Sequence, residues 1–161
     1  MVATFFDQKR PEWGPKRRWF DLDLEEEINA WTTVDWNVAT LEDFIALFDL
    51  DLWMEPDEYV WFLPRMLRGA VAYHNEVPYM DNLLWLKMDS IFGHDNSYFV
   101  QTHAHYFTSN ELIALFAVAL YCLDLCAEEF REQDWETYHR SFDNLVKHYA
   151  KDSPNPKRPL G

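Results

Sequence analysis

The feature that most constrains this chain is a run of twelve uncharged apolar residues, Leu112 to Leu123. A capping box opens it. Thr108 stands three residues before Glu111, so that hydroxyl and carboxylate can each satisfy a backbone N–H at the start of a helix. The helix this predicts, about residues 109–131, is apolar on every side from Leu112 to Cys126 except at Asp124. A helix with no polar face has to be surrounded. The run is too short to cross a bilayer, which takes ~20 residues. Other helices of the same chain must therefore surround it, and no membrane partner is expected.

Those other helices are readable from spacing and punctuation. Thr40 and Asp43 resemble a second capping box, followed by Leu41, Phe44, Ile45, Phe48 and Leu52 at helical intervals. Leu24 to Trp31 reads as a short acidic helix. Pro56 suits the first turn of a helix reaching about Tyr73, and Pro64 inside it removes one N–H, predicting a kink or a restart. Asp81 is placed to cap a helix ended by Gly93. Asp134 is placed to cap a last helix with Trp135, Tyr138, Phe142, Leu145 and Val146 on one stripe. With four glycines and no convincing strand, the expected fold class is all-α, an irregular helical bundle around the 109–131 helix. Tyr98 to Tyr106 is the one stretch that reads as extended.

Charge divides the chain into three parts. Residues 1–18 form a basic arm with Pro11, Gly14 and Pro15. Residues 19–150 form an acidic helical domain, and 151–161 a Pro-rich basic tail. From Trp19 to Ala150 there are 25 Asp and Glu against 6 Lys and Arg, a net charge of −19. Such a body repels nucleic acid and anionic lipid and attracts basic partners within roughly 8–10 Å at ordinary salt. Disorder is not the cause, because disordered acidic chains are poor in aromatics, and this one has 28, including eight Trp. Cys122 and Cys126 lie four apart within an apolar helix, where two small buried thiols in a reducing compartment are the expectation. Val2 to Phe6 is too short for the core of a signal peptide, so a soluble cytoplasmic protein is expected.

The segment Tyr59-Val60-Trp61-Phe62-Leu63-Pro64-Arg65-Met66-Leu67 resembles the aromatic-aromatic-Leu-Pro segment of a group of small helical bacterial proteins of unknown function. In that group a Trp-containing acidic segment comes first, here Asp35-Trp36 with Thr40 to Phe48. A Phe-Ser/Thr-x-x-Glu/Gln helix start comes after, here Phe107 to Glu111. Arg65 departs from the pattern, which has a small residue there. The resemblance spans roughly residues 35–125 and is immunity-protein-like. It implies a bacterial binding protein rather than an enzyme, and it supplies no catalytic residue or ligand.

Candidate chemistry is sparse. His103 and His105, two apart, would point the same way on an extended segment, and His94 or Glu111 would complete a metal set. His74, His94-Asp95 and Asp124 follow the ligand order of helical metal-dependent phosphohydrolases, but His94-Asp95 follows Gly93 and reads as a turn. Glu136 and His139 have the spacing of a di-iron motif that needs a second copy, which the chain lacks. Asp124 requires a countercharge if it is buried, and Arg65, Arg68 and Arg131 are the candidates.

What remains is acid interleaved with large aromatics, the makings of a protein interface with anchors inside a polar rim. The expectation is therefore a non-enzymatic acidic protein, without cofactor or metal, that binds a basic protein partner. Its most concrete form is an immunity protein that neutralises a toxin, one acting on nucleic acid among the options, by offering carboxylates where the toxin takes phosphates. Asp49, Asp51, Glu55, Asp57 and Glu58, with Trp53 as anchor, are the predicted contacts. Two alternatives stand beside it: a metal-dependent enzyme built on His94, His103 and His105, and a homodimeric or oligomeric adaptor.

Overall fold

The computed structural model describes residues 40–44, 56–73, 75–76, 80–125 and 128–157, with backbone alone for 80–83 and 128–133. Among these residues there are helices and turns and no strand. Helix α1 spans Pro56–Tyr73, α2 Met80–Phe92, α3 Ser97–Thr102, α4 Ser109–Leu125 and α5 Glu128–His148, with a 3-10 helix, Ala104–Tyr106, between α3 and α4. The all-α expectation holds. The predicted arm, the helix at Leu24 to Trp31, and Ile45, Phe48 and Leu52 lie outside the described residues.

Both capping boxes form. Thr40 donates its N–H and its hydroxyl to Asp43 Oδ2 at 2.7 and 2.9 Å, and Asp43 N–H returns to Thr40 Oγ1 at 3.4 Å. Thr108 repeats the pattern with Glu111 Oε2 at 2.8 and 3.0 Å, and Glu111 N–H returns at 3.3 Å. A third carboxylate joins the second box from 43 residues away. Asp152 Oδ1 accepts the Ser109 N–H at 2.7 Å and its hydroxyl at 2.8 Å. These two bonds hold the Asp152 carboxyl below its usual range. Lys151 N–H donates to the Phe107 carbonyl at 2.7 Å and Lys157 N–H to the His148 carbonyl at 2.7 Å. Residues 151–157 thus lie against the start of α4 and the end of α5.

Three expectations about the helices need correction. The apolar helix stops at Leu125 instead of about Arg131, and α5 begins at Glu128, six residues before the predicted cap at Asp134. A single helix from 109 to 148 would be roughly 60 Å long. Breaking it lets the stripe carrying Tyr138, Phe142 and Leu145 fold back onto α4, where Tyr138 and Leu145 are fully buried. Second, of the two outcomes expected at Pro64, a kink or a restart, the restart does not occur, because α1 runs continuously through it. Third, the presumed extended stretch is α3 and the 3-10 helix.

The core lies where α2 meets its neighbours. α2 packs on α1, α3, α4 and α5 together, whereas α1 packs chiefly on α2 and the 3-10 helix. Phe92 is the aromatic centre, 5.4 Å from Phe116, 6.2 Å from Tyr138 and 6.5 Å from Phe142 between ring centroids. Leu63, Met66 and Ala70 of α1 and Leu84, Met88 and Ile91 of α2 close the other side. Gly69 lets Phe44 approach α1: a Cβ there would stand 2.0 Å from Phe44 Cδ1, so only glycine fits the present packing.

Candidate functional site

Of the six predicted contacts, Asp49, Asp51, Trp53 and Glu55 lie outside the described residues. Asp57 is exposed in the first turn of α1, as an acidic residue at a helix start should be. Glu58 is 3% exposed, and its carboxylate belongs to the interior rather than to a solvent-facing rim. Three of the four residues per turn at this end of α1, Glu58, Tyr59 and Val60, are buried, which a plain count of acidic residues does not reveal.

The wider surface is strongly one-sided. Glu42, Asp57, Glu76, Asp95, Asp124, Glu136, Asp143 and Asp152 are exposed. The body's few cations are partly withdrawn. Arg65 is buried with its Cζ 3.6 Å from the Trp61 ring centroid, and its Nη1 donates to the Trp61 carbonyl. Burial draws the Arg65 guanidinium down to about 10. Lys87 is half-buried and Arg140 and Lys147 are exposed.

Within that surface the described residues bring together one acidic and aromatic face, on α5. Trp135 is 43% exposed between Asp134 and the exposed Glu136. Its ring lies 4.4 Å from that of His139, which donates Nδ1–H to the Trp135 carbonyl at 2.9 Å. His139 in turn meets the edge of Phe116 at 5.0 Å, and Phe116 stacks on Phe142 at 4.3 Å. The indole is therefore backed by an aromatic stack reaching the core, which limits its rotation. Behind it, burial and the nearby Asp134 raise the Asp89 carboxyl, while Tyr138 (O–H donated to Asp89 at 3.5 Å) and His94 oppose the shift. The sequence placed Trp135 on the buried stripe of its helix; a stripe assigned by period alone cannot distinguish its edge from its centre.

The burial expected for Asp124 is not found, and with it goes the need for a countercharge. Asp124 is exposed, and Arg65 is held on Trp61 of its own helix. Arg131 lies where only backbone is described.

The three histidines of the metal alternative have different neighbours. His94 is exposed, with Nε2 3.2 Å from Thr137 Oγ1 on α5. His103 lies between Tyr59 and Phe99, at 4.4 and 6.0 Å between centroids. His105 packs on Tyr106 at 4.3 Å. On a tight helical turn residues two apart diverge, whereas on a strand they would align. Among the described residues no three His, Cys, Asp or Glu side chains are placed to hold a metal ion.

His103 instead joins a compact polar group that sequence reasoning missed. Thr102 donates its hydroxyl to the Tyr98 carbonyl at 2.6 Å, so the 2.5 Å contact from Thr102 Oγ1 to His103 Nδ1 is donated by the ring. Burial, His105 and Lys87, in that order, lower His103 to about 4. Tyr59 is raised by burial and by Tyr98. Lys87, lowered by burial to about 8, holds its Nζ 5.9 Å from the Tyr59 ring centroid. No spacing rule joins residues 59, 87, 98, 103 and 105; only the packing of four short elements does. Comparison with protein-family models, with curated proteins and with solved structures finds no match.

Proposed function

We propose that this protein is a non-enzymatic binding protein whose acidic, aromatic-bearing surface holds a basic protein partner, in its most concrete form an immunity protein that inhibits a toxin. The observation that supports this reading is the arrangement of charge: carboxylates stand exposed while Arg65 is folded onto Trp61 inside the protein. Mutual repulsion among surface carboxylates costs stability, so their number on the surface is not explained by folding alone. Trp135 supplies what such a surface needs beyond charge, a fixed aromatic ring on which a lysine or arginine can sit between Asp134 and Glu136. Among the described residues no helix is long and apolar enough to cross a membrane.

The test is capture of partners from source cells at low salt, followed by purification of the eluted protein and measurement of association rates. Reversing Asp57, Glu136 and Asp143 to Lys is expected to slow association by about tenfold at low salt, with little change in thermal unfolding, because rim charges act mainly on encounter. Trp135→Ala is expected to speed dissociation. A partner that is itself acidic, or binding indifferent to both salt and these variants, overturns the reading.

A further inference from the structure

Four charged side chains stand exposed along α5 at intervals of four, three and four residues: Glu136, Arg140, Asp143 and Lys147. Residues so spaced share one face of a helix. Their signs run negative, positive, negative, positive, so the row is electrically balanced on a body that is otherwise strongly acidic. Read from its other end, the row has the opposite sign at every position. It is therefore complementary to itself when two copies of the helix run antiparallel. One position ahead of it, at the same intervals, runs an apolar strip: Trp135, His139, Phe142 and Val146. Trp135 is 43% exposed and the other three are partly buried. Phe116 of α4 backs the strip, against His139 on one side and Phe142 on the other. An apolar strip edged by charge that complements itself is the anatomy of a helix pair.

We propose that α5 is the contact surface of an isologous dimer, in which it lies antiparallel against α5 of a second copy of this chain. Around the two-fold axis Glu136 meets Lys147 of the second copy and Arg140 meets its Asp143, and each pair occurs twice. Trp135 comes to rest beside Val146 of the second copy. Parallel pairing is refused, because it sets Glu136 against Glu136 and Lys147 against Lys147. The paired stretch, residues 135–147, is roughly 18 Å long. That is a small interface, so a Kd on the order of 10 μM is expected. The acidity of the rest of each copy does not prevent the contact at ~0.15 M salt, where charges more than about 8 Å apart are largely screened. This inference does not rest on the reading of a basic partner. A dimer built this way covers Trp135, so it competes with any partner that takes that ring.

The test is sedimentation of the purified full chain at ~0.15 M salt, with no other protein present. At roughly 0.1 mM the native protein is expected to be mainly dimeric, and Trp135→Ala to weaken self-association about tenfold. Two double variants decide the register. Glu136→Lys with Asp143→Lys makes the row all basic, and Arg140→Glu with Lys147→Glu makes it all acidic. Each is expected to be monomeric alone, and an equal mixture, with the acidic variant fluorescently labelled, to regain a dimer holding one of each. Pairs within one helix, Glu136 with Arg140 and Asp143 with Lys147, would satisfy the same spacing, but they predict no recovery on mixing. A native protein that stays monomeric, a dimer that persists in either variant alone, or a mixture that stays monomeric overturns the proposal.

Discussion

Acidification should destabilise this protein through one buried ring, His103. The ring is 6% exposed, enclosed by Tyr59, Tyr98 and Phe99, with Lys87 and His105 adding positive charge nearby. These surroundings hold it at about 4, against 6.5 when solvated. Above pH 6.5 the imidazole is neutral in both folded and unfolded chains and contributes no pH dependence. Between pH 6.5 and about 4 the unfolded chain takes a proton that the fold refuses, so stability falls; below about 4 both are protonated and the loss is complete. At 1.36 kcal/mol per pH unit the loss is at most about 3 kcal/mol, nearer 2 kcal/mol once water screening at the ring edge is allowed for. Most of it has accrued by pH 4.5. Many carboxylates titrate over the same range, so the assay is a difference: urea unfolding of wild type and of His103→Phe at pH 7.5 and pH 4.5. The variant keeps a ring between Tyr59 and Phe99 and loses the bond to Thr102, so it starts less stable, but its further loss on acidification should be smaller by about 2 kcal/mol. Equal acid-induced losses in the two proteins, or an NMR titration of His103 near 6.5, would refute the reasoning.

Gly69→Ala should destabilise by about 1–3 kcal/mol in thermal or urea unfolding, because the added Cβ falls 2.0 Å from the buried Phe44 ring and one of them must move. Asp152→Ala removes the distant cap on Ser109, and a loss of about 1 kcal/mol is expected at low salt, with amide exchange accelerated in the first turn of α4. Asp124→Ala should change stability by less than about 0.5 kcal/mol, since the carboxylate is exposed; a large loss in urea unfolding would mean a buried partner after all. Asp89 is raised when folded, so it favours the fold at low pH and opposes it once the unfolded carboxyl ionises; Asp89→Asn should therefore raise the melting temperature at pH 7 and have a smaller effect at pH 3.

Both capping boxes, the all-helical class, the ends of α1 and the acidity were legible in the linear chain, because each depends on residues within a few positions of one another. A hydroxyl three residues before a carboxylate finds it whatever the rest of the protein does. Most of what failed depended on which helix lies beside which. Asp124 appeared buried because its helix is apolar on all sides, yet α4 keeps an exposed edge where Ile113 and Asp124 meet water. Arg65 appeared available to it, yet Trp61, one turn away, takes the guanidinium. Glu58 looked like surface because its neighbours are acidic, and the histidines looked like a ligand pair because a strand was assumed. The polar group around Lys87 had no local signal at all. Helix formation is set by short-range bonding that composition and spacing encode; the identity of a buried neighbour is set by how whole helices share apolar area, and only the assembled bundle decides it.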